Sequence, residues 1–150
     1  MPAFDNPAFQ RLAESLGAAA SSARSFDLVF DDDLPVTVTL HPNGTEVGVD
    51  VWCHDAARMA GAQRRAMVKT LLMLNHGSRA GLPLCIGLDN RDFVLVHGRQ
   101  GLEGLEAGAF TAWLSWLLDQ SRRVRSLVRT LGFEDGRLAY VLSASQQGEA

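Results

Sequence analysis

The chain has 150 residues, of which 47% are hydrophobic and 21% charged, with a formal net charge of -3. That length suits one domain around a single core. The mild acidity argues against a nucleic-acid binder, which carries a strongly basic face, and no apolar run approaches the about 18 residues of a membrane-spanning helix.

The opening MPAFDNPAF has neither the basic region nor the apolar core of a signal peptide. It reads as a helix start, with Asn6 as N-cap and Pro7 at the first helical position. Phe9, Leu12, Ala13 and Leu16 then share one narrow stripe that ends near Gly17. Ala18 to Ser25 is small and polar and reads as a fraying linker.

A three-strand meander follows. Phe26, Leu28 and Phe30 alternate along the first strand, Val36, Val38 and Leu40 along the second, and Val47, Val49 and Val51 along the third. Asp31 to Asp33 form a charged loop, and Asn43-Gly44 is a hairpin signal. Alternation of this kind predicts an antiparallel sheet with one packed face.

A second helix is expected from about Ala56 to Asn75. Met67, Leu71 and Leu74 lie on one side and Val68 and Leu72 on an adjacent one. A helix so apolar is covered on more than one side, and a second copy of the chain is the simplest cover. The stretch Leu71 to Val96, LLMLNHGSRAGLPLCIGLDNRDFVLV, holds the end of this helix, a Gly-punctuated turn and two short strands. Leu82, Leu84, Ile86 and Leu88 alternate in one strand, Phe93 and Leu95 in the next, and Asp89 to Arg91 make the turn. Gly98 to Gly108 reads as a Gly-rich loop, and a long third helix runs from about Leu105 to Leu131. Phe110, Trp113, Leu114, Leu117, Val124, Val128 and Leu131 form its apolar stripe, with Trp116 at the edge. Residues 1–132 make one domain. In the tail, 133–150, Leu138 to Leu142 is an apolar cluster and the last residues read as disordered.

Candidate chemistry is sparse. Cys53-His54 is the only close pair of possible zinc ligands, and neighbours on a strand point to opposite faces. No metal or other cofactor is expected. Both cysteines, Cys53 and Cys85, read as reduced and buried in a cytoplasmic protein. No G-x-S-x-G turn holds a serine nucleophile, and the glycines between 98 and 108 lack the spacing of a phosphate loop. Asp31 to Asp33 lack the spaced oxygens of a calcium loop. Arg122, Arg123, Arg125 and Arg129 read as a solvated helix face that complements the macrodipole, in preference to a nucleic-acid face.

The order helix, three strands, helix, two strands, helix, together with the Leu71 to Val96 stretch, resembles the class I type III secretion chaperones (Tir-chaperone-like) over roughly residues 7–131. The resemblance implies a homodimeric α+β protein with an antiparallel sheet and three helices, without catalytic residues. It implies a protein that binds the N-terminal segment of a secreted effector and delivers it to the export apparatus. The tail and the basic third helix depart from the pattern, in a way that fits a multi-effector (class IB) member or one that docks on a secretion ATPase. On that footing Phe9, Leu12, Leu16, Val36, Val38 and Leu40 are the expected effector-binding residues, and Val68, Leu72, Leu84, Ile86 and Trp116 the expected dimer interface. The rival reading is a small intracellular regulatory or adaptor domain that binds a folded partner.

Overall fold

The structure, a computed structural model, describes residues 3–77 and 84–130. The turn at 78–83, with Gly81 and Leu82, and the tail cluster Leu138 to Leu142 lie outside the described residues.

Helix α1 spans Pro7–Ser15. Asn6 Oδ1 accepts from the Phe9 amide at 3.0 Å, satisfying one of the helix's unpaired donors. Gly17, at φ 67°, reverses the chain beyond its end. Six strands are described, all but the first on the expected alternations: β1 (Ala20–Ser22), β2 (Ser25–Phe30), β3 (Leu34–Leu40) and β4 (Glu46–Asp55), then β5 (Leu84–Leu88) and β6 (Phe93–Gly101) after helix α2 (Gly61–Gly77). Helix α3 spans Ala107–Thr130. The strands form one antiparallel sheet in the order β1-β2-β3-β4-β6-β5.

Three boundaries differ from the sequence expectation, the first being α2, which begins at Gly61 and not at Ala56 because the chain makes a turn there, the Met59 amide donating to the Ala56 carbonyl. The expected linker contains the edge strand β1, which pairs with β2 through Ala20 and Ser22. It has no apolar alternation to betray it, because its pairing is made by backbone groups and by the hydroxyls of Ser21 and Ser22, which both meet the Ser25 hydroxyl. The expected Gly-rich loop begins later, since Gly98 to Gly101 belong to β6. Gly98 is buried where α3 crosses the sheet. A Cβ there would lie 2.9 Å from Trp113 Cζ2 and 3.0 Å from both Leu117 methyls. The missing side chain is what admits the helix.

Burial places the helices on one face of the sheet. Phe26, Val36, Val38, Leu40, Val47, Val49, Val51, Val94 and Val96 are buried on that face. Leu114, Leu117, Val124 and Val128 of α3 cover β4 and β6. α1 packs its Phe9 ring 5.2 Å from Phe26, with Phe4 edge-on to both. α2 lies against β5 and sends Met67 and Leu71 into the core. The opposite sheet face alternates with this one and, among the described residues, carries no helix.

The charged loop and the basic helix account for each other. Arg122 reaches Asp31 at 2.6 Å and Asp119 at 2.8 Å, and Arg125 reaches Asp33 at 2.8 Å. Asp31 and Asp32 both have positive φ, 54° and 62°, and the Asp33 amide donates to the Phe30 carbonyl. That is the pattern of a type I′ turn, which aspartate tolerates better than most residues. The arginines therefore grip the β2–β3 turn, where the sequence suggested a solvated face.

Candidate functional site

Four surfaces merit description: the two sheet edges, the helix-free sheet face and a cleft beside α1.

At one edge, β5 is partly closed. Asn75, in the last turns of α2, accepts from the Ile86 amide at 2.8 Å and donates to the Ile86 carbonyl. Its side-chain amide thus takes the place of a neighbouring strand. At the other edge, β1 covers only the start of β2, through Ser25 and Phe26. In an antiparallel strand, alternate residues turn their N–H and C=O to opposite sides. The Arg24 carbonyl accepts from the Leu40 amide and the Phe30 carbonyl from the Asp33 amide, so the even-numbered residues bond toward β3. Val29 must then present its backbone groups to the open side, beyond the reach of β1. Its side chain is 63% exposed. Among the described residues this part of the edge has no strand beside it, and an exposed edge of this kind is a template for an added strand.

The helix-free face carries an apolar band. Trp52 pairs across with Leu95, and its ring meets Phe93 edge-on at 6.0 Å. Sequence reading did not single out Trp52, although its alternation with buried Val51 and Cys53 was there to find. In the next row, His97 Nδ1 lies 2.6 Å from Asp50 Oδ1, and Cys85 is the cross-strand partner of His97 on the far side. The His97 ring leans over β4, its Cε1 3.2 Å from where a Gly48 Cβ would sit. The imidazole thus faces away from the Cys85 strand, and no nucleophile–base pair is assembled. Cys85 is exposed, correcting the expectation that both cysteines are buried. It falls on the helix-free face of an edge strand. Cys53 faces the core, and burial pushes its thiol up to about 11. Among the described residues no group of three or more His, Cys, Asp or Glu side chains is placed to hold a metal.

The cleft, of about 860 Å³, opens between α1, the β3–β4 turn and the segment joining β6 to α3. Ala8, Leu12, Leu102 and Leu105 supply its apolar lining. Glu103 and Glu106 stand on one wall and Arg11 on the other. Gly44, at φ 73°, makes the turn on the third side, with the Arg24 guanidinium behind it.

The expected effector-binding residues fall mostly in the core. Phe9, Val36 and Val38 are 0–1% exposed and Leu12 and Leu40 2%. Only Leu16 is part-exposed. The stripe on α1 is narrow because one side of it fills the sheet, so the open pocket expected there is core. Of the expected dimer residues, Leu72 stands out at 64% exposed. Val68, Leu84 and Trp116 are half-buried, and Ile86 is buried on the helix-covered face.

Three charge shifts follow from these contacts. The Arg122 guanidinium holds the Asp31 carboxyl below the usual carboxylate range, and Arg64 does the same for Asp92. Burial first, and then Arg129, lower the pKa of His54.

No protein-family profile matches the chain, and no curated protein matches it in sequence. Its fold has counterparts among solved structures. A chain of the ExsC–ExsE complex matches with a TM-score of 0.59 at 18% identity, over 81% of this chain and 90% of that one. The HopA1–SchA chaperone–effector complex gives 0.56 at 14% identity, over 79% and 90%. The complex of the Yersinia pestis type III secretion chaperone SycH with a stable fragment of YscM2 gives 0.54 at 12% identity, over 78% and 96%. The chain has the α+β fold of the class I type III secretion chaperones. Among the described residues no helix is long and apolar enough to cross a membrane.

Proposed function

We propose that this protein is a type III secretion chaperone, which binds the N-terminal segment of one or more secreted effectors, keeps it extended and delivers it to the export apparatus. It acts by binding, without turnover, in the bacterial cytoplasm. The single observation that carries the reading is a fold shared with solved chaperone–effector complexes. The open edge of β2 supplies the mechanism. An extended segment adds as a strand beside Val29, its main chain taking up the unpaired backbone groups and its side chains lying alternately toward α1 and toward solvent. Leu16, half-exposed at the end of α1, is the remaining side chain of the expected pocket within reach of that reading.

The reading includes a homodimer. Leu72 with Val68 on α2 and the Trp52–Phe93–Leu95 band on the helix-free sheet face are the apolar surfaces a second copy can cover. Docking on a secretion ATPase through α3 has less support, because Arg122, Arg125 and Arg129 spend their charge on Asp31, Asp119 and Asp33.

Co-purification tests the function, and Val29→Pro tests the site. Proline removes the one amide argued to face the open edge and is tolerated on edge strands. The wild type should capture secreted proteins through their unfolded N-terminal segments. The variant should keep its melting temperature and bind a labelled segment about tenfold more weakly or worse. Capture of intact folded domains alone would favour the adaptor reading. A variant that binds like wild type would move the site off this edge.

A further inference from the structure

We infer that the cleft beside α1 selects the cationic part of the bound segment: an apolar anchor on its floor, with lysine or arginine against Glu103 and Glu106. This rests on the chaperone reading and deepens it.

Most carboxylates of the described residues already have a partner. Asp31, Asp33 and Asp119 pair with arginines of α3, Asp92 with Arg64, and Asp50 with His97. Asp55 and Asp89 accept backbone amides in turns, Asp27 accepts from Thr37, and Glu14 from Gln10. Glu46 lies 3.9 Å from Arg99. Among the described residues Glu103 and Glu106, like Asp5 and Asp32 elsewhere on the surface, have no such side-chain partner, and both glutamates are exposed on one wall of the same cleft. Arg11, the guanidinium on the facing wall, makes no ion pair with them.

The cleft floor is apolar and built. Leu12 and Leu102 are buried, and the Leu102 amide donates to the Thr45 carbonyl at 2.8 Å, tying the loop wall to the β3–β4 turn. A rigid apolar floor under an acceptor-rich wall fits one kind of occupant, a chain with an apolar residue flanked by ammonium or guanidinium groups. The amino ends of α1 and α3 line the same cleft and soften its negative field, while Glu46 in the lining, 3.9 Å from Arg99, adds a third carboxylate. Arg11 on the facing wall gives the cleft a polarity, so the occupant's cations are placed on the Glu103 side.

The probes are two short synthetic peptides with the same leucine anchor, one flanked by lysines and one by glutamates. Each is titrated by fluorescence anisotropy at low and high salt, against wild type, Glu103→Gln/Glu106→Gln and Glu103→Lys/Glu106→Lys. The altered side chains are exposed and unpaired, so the variants should fold as wild type does. Two exposed charge pairs amount to a preference of about five- to tenfold for the lysine peptide at low salt. That preference should shrink with salt, vanish in the glutamine variant and invert in the lysine variant. Equal binding of the two peptides by wild type overturns this inference and leaves the chaperone reading intact. If neither peptide binds and no effector segment is retained either, the chaperone reading fails and this inference falls with it.

Discussion

Replacing Gly98 with alanine tests how closely α3 is seated on the sheet. The new methyl would arrive 2.9 Å from Trp113 Cζ2 and 3.0 Å from both Leu117 methyls, so something must move. Trp113 is only half-buried and can swing outward, but Leu117 is fully buried and cannot. Overpacking of this kind typically costs about 1–3 kcal/mol. Gly98 lies in extended backbone, so the substitution also removes conformational freedom from the unfolded chain, worth about 0.4–1 kcal/mol in the other direction. The balance is a loss of about 1–2 kcal/mol, or several degrees in melting temperature. Valine, which cannot be absorbed by Trp113 alone, should cost more. Leu117→Ala by itself leaves a cavity that costs about 2–5 kcal/mol. In the double variant the alanine methyl at 98 partly fills that cavity, so the combined cost should fall short of the sum by about 1 kcal/mol or more. Urea unfolding followed by tryptophan fluorescence measures all four proteins. If Gly98→Ala matches wild type, or the two changes simply add, α3 is not held at this contact and the packing argument is wrong.

Two further outcomes follow from exposure and charge. Leu72→Glu should leave the fold intact, because the side chain is 64% exposed, yet raise the dimer dissociation constant about tenfold or more by placing a charge in the interface. Light scattering reads it, and a wild type that stays monomeric at high concentration would end the homodimer proposal. His54 has a lowered pKa, so the unfolded chain takes up a proton near its ordinary 6.5 while the folded chain resists. Stability should therefore decline as pH falls below about 6.5, and His54→Gln should flatten that slope. It should drop again below about 3.8, where the unfolded chain protonates Asp31 and Asp92 before the folded one does. A melting temperature that is constant from neutral to pH 5 would contradict the assignment to His54.

The sequence by itself carried what repeats along the chain. Alternation marked five of the six strands and the side of each that would be packed, as Val36 to Leu40 and Val47 to Val51 show. Asn43-Gly44 placed a hairpin, Asn6-Pro7 a helix start, and the order of elements pointed to the chaperone fold. These are local signals, set by backbone period and turn chemistry within a few residues. Tertiary structure decided everything that depends on distant groups meeting. Arg122 finds Asp31 across 91 positions, turning an apparent solvated face into a clamp. Gly98 looked like loop because glycine has no side chain to alternate, and its role exists only because α3 passes over it. Phe9 and Leu12 looked open because α1 is short, but a narrow stripe can be wholly buried when a sheet lies beneath it. The open edge of β2 and the Asn75 cap on β5 depend on where a strand's backbone groups have a neighbour, and side-chain pattern does not encode that.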